Sequence, residues 1–406
     1  MANVVGTTAG RVKSYFSEVF SGLVPLFVVA HFMHHVPGFI LQPATPSIRD
    51  TLGLDYVQVG GLTSAYNFAY GVANLPAGWL GGRMAPRLLI TAGVLGLAVF
   101  GILAGLAPNY VLLVLVLLLM GVMGGGYHPS AAPLIADTTA PEKRGRALGL
   151  HQVGGTLASF VTPLIVGGLM AALTWRGAFV VLSIPVALYG IYLYILLRRR
   201  HLGDRPVPDT SGRFVIRVKS KGYVRRMIAF VAMGTAVQVF VYSTLSFIPL
   251  LVTDQYHGSA EAGAAFFALA QFAGLLAGPI GGHMSDRIGK VPVMLTVGLL
   301  AGPLIYLLSL GTHWWLLAIL MLAVGTCMYV AMPVSEAYVI SNSSQRNRST
   351  ILGIYYFASR GGPGLLSPFM GGLIQTYSFG HAFAAAGAGL FLVTLVCSLL
   401  LFGTRD

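Results

Sequence analysis

Twelve stretches of mainly apolar residues constrain this chain more than any other feature, each about as long as the roughly 20 residues a helix needs to cross a bilayer. They run Val19 to Leu41, Gln58 to Leu80, Leu88 to Leu106, Tyr110 to Ala136, Gly145 to Leu173, Gly177 to Leu197, Met227 to Leu251, Ala262 to Met284, Val291 to Leu310, Trp314 to Ser341, Ile351 to Tyr377 and His381 to Leu401. A water-soluble fold of this length would lack the polar surface to cover itself. Only 9% of the 406 residues are charged and 56% are apolar, against about 25% charged in a soluble domain. The 52 glycines fit the same picture, because small residues let helix backbones approach where lipid gives helices no hydrophobic reason to associate.

The net charge of +13 could point to nucleic acid or anionic lipid, so the placement of Lys and Arg decides its meaning. One long polar stretch separates the sixth and seventh apolar runs and carries ten basic residues. If this linker is cytoplasmic, both termini lie on the same side, and 22 of the 25 Lys and Arg residues fall there or at its edge. Arg49 and Arg176 are left outside and Arg360 within the eleventh run. That bias obeys the positive-inside rule and accounts for the charge without nucleic acid. The first residues contain Arg11 and Lys13 but no small-residue cleavage site after a short apolar core, so no cleaved signal peptide is expected. Cys327 and Cys397 both sit within apolar runs, as small core residues rather than a disulfide or metal set.

A frame shift of 204 residues maps Gly78 on Gly282, Arg83 on Arg287, Gly121 on Gly325, Pro129 on Pro333, Arg144 on Arg348, Gly149 on Gly353, Gly168 on Gly372 and Phe179 on Phe383. Matched Arg, Pro and Phe in one frame indicate an internal repeat with both copies in the same topological sense. The expected architecture is an all-α membrane protein of twelve transmembrane helices in two parallel, pseudo-symmetric six-helix bundles. Its parts are a segment 1–18, a first bundle 19–197, a basic linker 198–223, a second bundle 224–402 and a tail 403–406.

The loop after the eighth run, Gly282-His283-Met284-Ser285-Asp286-Arg287-Ile288-Gly289-Lys290, resembles the loop signature of the major facilitator superfamily. Its counterpart after the second run, with Gly78, Arg83 and Arg87, has Gly82 where the signature has an acid. The loop with Arg144 before the fifth run, and Trp175-Arg176-Gly177-Ala178-Phe179, are similar to other family patterns. A helix-4 arginine found in many members is replaced by Leu117. The resemblance implies cytoplasmic gating loops built from Gly78, Arg83, Arg87, Arg144, Gly282, Asp286, Arg287, Gly289, Lys290 and Arg348. A carboxylate such as Asp286 can pair with Arg and with a helix N-terminus. Within the superfamily, Gly124 to Pro129, Gln152-Val153-Gly154-Gly155 and His31 are similar to the fosmidomycin-resistance-type exporters. That group tends to have acids where this chain has His35 and Ser130.

Ionisable groups at membrane depth are expensive and mark cavities or partners. Arg360 is near the middle of helix 11, and Glu336 lies on helix 10 about 12 Å from the midplane at 1.5 Å per residue. They are candidates for substrate anchor and proton carrier, or for a structural ion pair. His31, His34 and His35 share one face of helix 1. Proton carriage by His31, His35 and His128 is the favoured reading, ordinary hydrogen-bonded packing comes next, and a transition-metal site on His31, His34 and His35 is the least favoured. His151, Gln152, Tyr66, Asn67, Gln238, Tyr242, Gln271 and Tyr329 complete the candidate cavity wall, each also able to serve as a helix-helix contact.

Walker-type phosphate loops and hydrolase motifs are missing from the sequence, so neither ATP nor enzymatic chemistry is expected, and no cofactor. The expectation is a secondary active transporter in the plasma (inner) membrane, working by alternating access as a monomer, coupled to protons and favouring export. A divalent-metal transporter is the alternative. Because basic-capable residues outnumber the one clear acid within the span, the expected substrate is a small organic anion or anionic amphiphile.

Overall fold

The computed structural model describes residues 23–81, 83–204, 222–310, 313–343 and 345–401. The segment 1–18, most of the linker, the tail 403–406 and the side chain of Arg348 lie outside them. Twelve spanning helices follow in chain order: α1 (Val24–Leu52), α2 (Tyr56–Gly81), α3 (Pro86–Leu106), α4 (Tyr110–Asp137), α5 (Arg144–Ala172), α6 (Trp175–Arg199), α7 (Tyr223–Asp254), α8 (Ala260–Ile288), α9 (Lys290–Leu310), α10 (Trp314–Asn342), α11 (Gln345–Thr376) and α12 (Phe379–Leu401). Ten are apolar enough to cross a membrane by composition alone, and the other two, α2 and α11, are the more polar pair. These two pack on each other. Their polarity belongs to an interface between bundles rather than to lipid.

The pairing within the first six helices repeats in the second six. The pairs α3–α6, α2–α4 and α1–α5 recur as α9–α12, α8–α10 and α7–α11, which is the two-bundle pseudo-symmetry that the 204-residue repeat requires. The bundles meet along α2–α11 and α5–α8. At the first seam glycines bring backbones together: a Cβ added to Gly71 would lie 2.6 Å from Cα of Gly361, and one on Gly60 would lie 2.8 Å from Cα of Pro368. In the second, a Cβ on Gly167 would lie 3.1 Å from Ala264. The Pro163–Gly167 stretch of α5 therefore serves close packing, and α5 runs unbroken through it.

Helix 1 differs most from the sequence expectation, which ends it at Leu41. Pro37 lacks an N–H and interrupts α1 with a 3-10 turn over Pro37–Phe39, after which the helix resumes at Leu41 and continues to Leu52. Pro46 cannot donate to the Gln42 carbonyl four residues back, and the Thr45 hydroxyl donates to it instead at 2.8 Å. Leu41 to Pro46 and Ile48 are buried in this extension while Arg49, Asp50 and Thr51 near its end are not, and the polar residues among them lower the hydropathy average that would reveal a continuing helix. Gly53, with φ of 64°, closes the helix while Leu54 N–H donates to Arg49 O at 3.0 Å, a Schellman-type ending. Asp55 and Gln58 then cap α2 reciprocally, at 2.7 and 3.0 Å.

Three other spans are also broken: α4 at Gly125-Gly126, α7 at Ser246-Phe247 and α8 at Ala273. The two faces of the molecule differ. At the face where α1 ends and α2 begins, the bundles are joined by an ion pair and hydrogen bonds. At the opposite face, which the linker joins, a Cβ added to Gly145, Gly149, Gly282 or Gly353 would meet nothing within 4 Å. The bundles are joined at the Arg49 face, and these glycines of the linker face have open space beside them.

Candidate functional site

Arg360 lies midway along α11 and is half-buried. Its charge acts on Tyr70 of α2, Tyr242 of α7, Tyr329 of α10 and Tyr355 of α11, and also on His31 of α1 and His128 of α4. Helices of both bundles thus surround one guanidinium, whose five N–H groups can only donate. Among the described residues Arg360 has neither a hydrogen bond nor an ion pair. Glu336, half-buried on α10, feels its field and has Tyr356 beside it, but no ion pair joins the two among the described residues. An unpaired guanidinium at this depth is a ready receptor for a carboxylate or phosphonate, which it can hold in two parallel hydrogen bonds.

Most of the neutral candidates spend their polar atoms on the protein. Asn67 Nδ2 donates to Thr63 O at 3.0 Å, and Gln238 Nε2 to Met328 O at 2.7 Å. The Tyr329 hydroxyl donates to Gln271 Oε1 at 2.6 Å and lies 3.2 Å from Ser159 Oγ, tying α5 to α8 and α10 across the seam. Tyr66 is buried, with its ring 5.9 Å from that of Tyr70. Gln152 is exposed on α5. Tyr242 and Tyr329 are half-buried around Arg360.

Five histidines from three helices come together on the first-bundle side of this space. The three-four spacing on α1 places His31, His34 and His35 on one face, and the glycine break in α4 brings Tyr127 and His128 against them. His31 stacks on His151 of α5 at 4.1 Å, and its Nδ1 lies 2.6 Å from His151 O. Since a carbonyl only accepts, Nδ1 carries the proton and Nε2 the lone pair. His35 Nε2 lies 3.0 Å from that Nε2. His34 instead turns to the Tyr70 hydroxyl at 3.3 Å. The metal reading of the sequence grouped His31, His34 and His35. The ring nitrogens that converge are those of His31, His35 and His128, all within 4.8 Å of one another, because the α4 break supplies a ring where a single helix could not.

Sequence reasoning missed the closure of the Arg49 face. Arg49 grips the Asp254 carboxylate through both terminal nitrogens, Nη2 donating to Oδ1 at 2.9 Å. The Tyr56 hydroxyl donates to Oδ2 at 2.6 Å and the Thr253 hydroxyl to Oδ1 at 2.9 Å. Tyr56 N–H donates to Gln375 Oε1 on α11 at 3.3 Å. These contacts join α1 and α2 to α7 and α11. A signal was present: Arg49 is one of only two basic residues left on that side of the chain by the charge count, and an isolated Arg beside a helix end invites an acid.

The gating-loop candidates lie at the linker face. Asp286 and Arg287 are exposed at the end of α8, and Asp286 has no ion pair among the described residues. Gly289, at φ of 93°, turns the chain into α9, which begins at Lys290. Arg83 is exposed in the α2–α3 turn. Gly78 lies within α2 and Gly282 within α8. Arg87 pairs with Asp204 after α6, and Arg144 Nε donates to Ala136 O at 2.8 Å. Neither contact involves the second bundle.

Known proteins resemble this chain in sequence and in fold. The chain is 32% identical over 160 residues to a probable L-galactonate transporter of Escherichia coli, covering 39% of this chain and 35% of that one. It is 26% identical over 289 residues to the probable sulfoacetate transporter SauU of Cupriavidus necator, covering 66% and 65%. The matched part thus spans only a third to two thirds of the length of these two relatives. The multidrug resistance protein MdtG of Proteus mirabilis is 26% identical over 376 residues, covering 90% and 92%. Among solved structures, a bacterial homologue of the lysosomal transporter Spinster, inward-facing and unoccupied, superposes with a TM-score of 0.69 at 18% identity over 94% of this chain and 95% of that one. A peptide transporter POT in complex with sulfate gives a TM-score of 0.77 at 13% identity over 93% and 94%. At these identities the structural likeness concerns the fold. The sequence pattern of the Major Facilitator Superfamily matches residues 27–275 and 231–406, and the chain is a multi-pass membrane protein belonging to that superfamily.

Proposed function

We propose that this transporter moves a small organic anion, or an amphiphile with an anionic head, by alternating access, with protons as the coupling ion and export as the direction. The observation that carries the reading is Arg360, a guanidinium without a protein partner among the described residues, ringed by tyrosines from both bundles. Tyrosine hydroxyls add donors around a bound oxyanion, and their rings suit an apolar remainder. The relatives named for L-galactonate and sulfoacetate fit an anion. Export is favoured by MdtG, the relative that matches over the longest stretch of those compared above, and by the sequence likeness to fosmidomycin-resistance-type exporters. Protons are carried in this reading by the titratable groups that reach the space beside Arg360, namely Glu336, His35 and His128.

In this reading the protein lies in a bacterial inner membrane with the linker and both termini on the cytoplasmic side, which the charge bias supports. The Arg49 face is then external, and the ion pair described above joins the bundles on that side. The protein acts as a monomer, since each chain holds both bundles. Arg360→Ala tests the reading. It should weaken binding of organic carboxylates and phosphonates by about 1.5 to 3 kcal/mol, roughly 10- to 100-fold, in a thermal-shift or calorimetric titration of purified protein. Lipophilic cations binding as tightly as matched anions, or normal anion affinity in the variant, would overturn it.

A further inference from the structure

We propose that His31, His35 and His128 form a three-imidazole site for a divalent transition-metal ion of the zinc, cobalt or nickel type. Metal-to-imidazole bonds of about 2.0 to 2.1 Å separate ligand nitrogens by about 2.9 Å at a right angle and about 3.3 Å in a tetrahedron. The His31 and His35 Nε2 atoms are already 3.0 Å apart. All three ligand atoms fall within 4.8 Å of one another, so closing the widest gap takes a ring movement of about 1.5 Å toward tetrahedral spacing.

The surroundings match a metal site in two further respects. First, the His31 Nδ1–H donated to His151 O at 2.6 Å leaves Nε2 with its lone pair facing the set, and such an outer hydrogen bond orients ligating histidines. The His151 ring is held in turn by the Tyr127 hydroxyl at 3.2 Å. Second, His128 Nε2 is buried with no hydrogen-bond partner, a polar atom that coordination would satisfy. The space is also kept clear: a Cβ on Gly155 of α5 would lie 2.8 Å from His31 Nε2 and 2.9 Å from Cδ2 of His35.

Three neutral nitrogens and no carboxylate favour zinc, cobalt, nickel or copper over magnesium and calcium. His35 and His128 are half-buried, and three protein ligands leave a fourth coordination position for water or an anion. Arg360 acts on all three rings, and an anion in the open position would balance both the ion and the guanidinium. Binding of the His35 ring through Nε2 requires its proton to move to Nδ1, a tautomer change with no net charge.

The test uses the full-length protein, purified without a polyhistidine tag, titrated with zinc by calorimetry and with cobalt by visible absorption. Wild type should bind one ion saturably and show the ligand-field bands of a low-coordinate cobalt site. His31→Gln, His35→Gln and His128→Gln should each lose affinity by roughly tenfold or more, while His34→Gln, whose ring lies outside the set, keeps it. Zinc should raise the melting temperature of wild type but not of the His31/His35/His128 triple variant, with gel filtration confirming that each variant is folded. Absence of saturable binding in wild type, or equal binding in a folded triple variant, would overturn the proposal. Arg360→Ala should keep the metal while losing the anion, so the two readings fail separately.

Discussion

Asp254→Asn should open the Arg49 face. The wild-type carboxylate accepts from both terminal nitrogens of Arg49, from Tyr56 and from Thr253, and it is the hub joining α1 and α2 to α7. Both side chains of the pair are only about one-fifth exposed, at 19% and 20%, so the interaction is worth more than that of a solvated surface pair, for which about 0 to 1 kcal/mol is usual. Asparagine keeps the shape but loses the charge and one acceptor of the fork. A loss of about 2 kcal/mol, the middle of the range for hydrogen bonds to charged groups, would shift the closed-to-open ratio of this face roughly 30-fold. Spin labels at Pro108→Cys and Gln255→Cys, both exposed positions on that face, report its width in a background lacking Cys327 and Cys397. The short-distance population should fall in Asp254→Asn and return when the charges are exchanged as Arg49→Asp with Asp254→Arg. An unchanged distance distribution in Asp254→Asn would refute the idea that this cluster holds the face shut.

Three further outcomes are expected. Glu336→Gln should abolish gradient-driven transport in proteoliposomes while leaving counterflow exchange intact; if it does not, and His35→Gln with His128→Gln does, the histidines carry the proton. Gly71→Val should jam the α2–α11 seam, where even a Cβ would lie 2.6 Å from Cα of Gly361, costing about 1 to 3 kcal/mol as overpacking and read as a lower melting temperature, whereas Gly353→Ala, with nothing within 4 Å, should be silent. Asp286→Asn should weaken the state closed at the linker face, seen as a lower population of short distances between labels across that face; an unaltered population would remove Asp286 from the latch.

The sequence determined the number and apolar character of the helices, because burying a backbone in lipid imposes a length and hydropathy that twelve runs display openly. It also exposed the repeat, since equivalent packing positions select the same Gly, Pro and Arg, and it singled out Arg360, since a charge at membrane depth stands alone in the text. Tertiary structure decided what depends on neighbours from other helices. Helix 1 continues to Leu52 because Leu41 to Pro46 and Ile48 are buried by neighbouring helices and Thr45 satisfies the carbonyl that Pro46 leaves free, neither of which raises hydropathy. Arg49 finds Asp254 across 205 positions of sequence, a distance over which no spacing rule operates. The histidines show the divide within a few ångströms: periodicity grouped His31, His34 and His35 on one face, but a glycine break in another helix brings His128 to His31 and His35, while His34 turns to Tyr70. One-dimensional periodicity knows only its own helix, whereas a site between helices is fixed by which backbones small residues allow to approach.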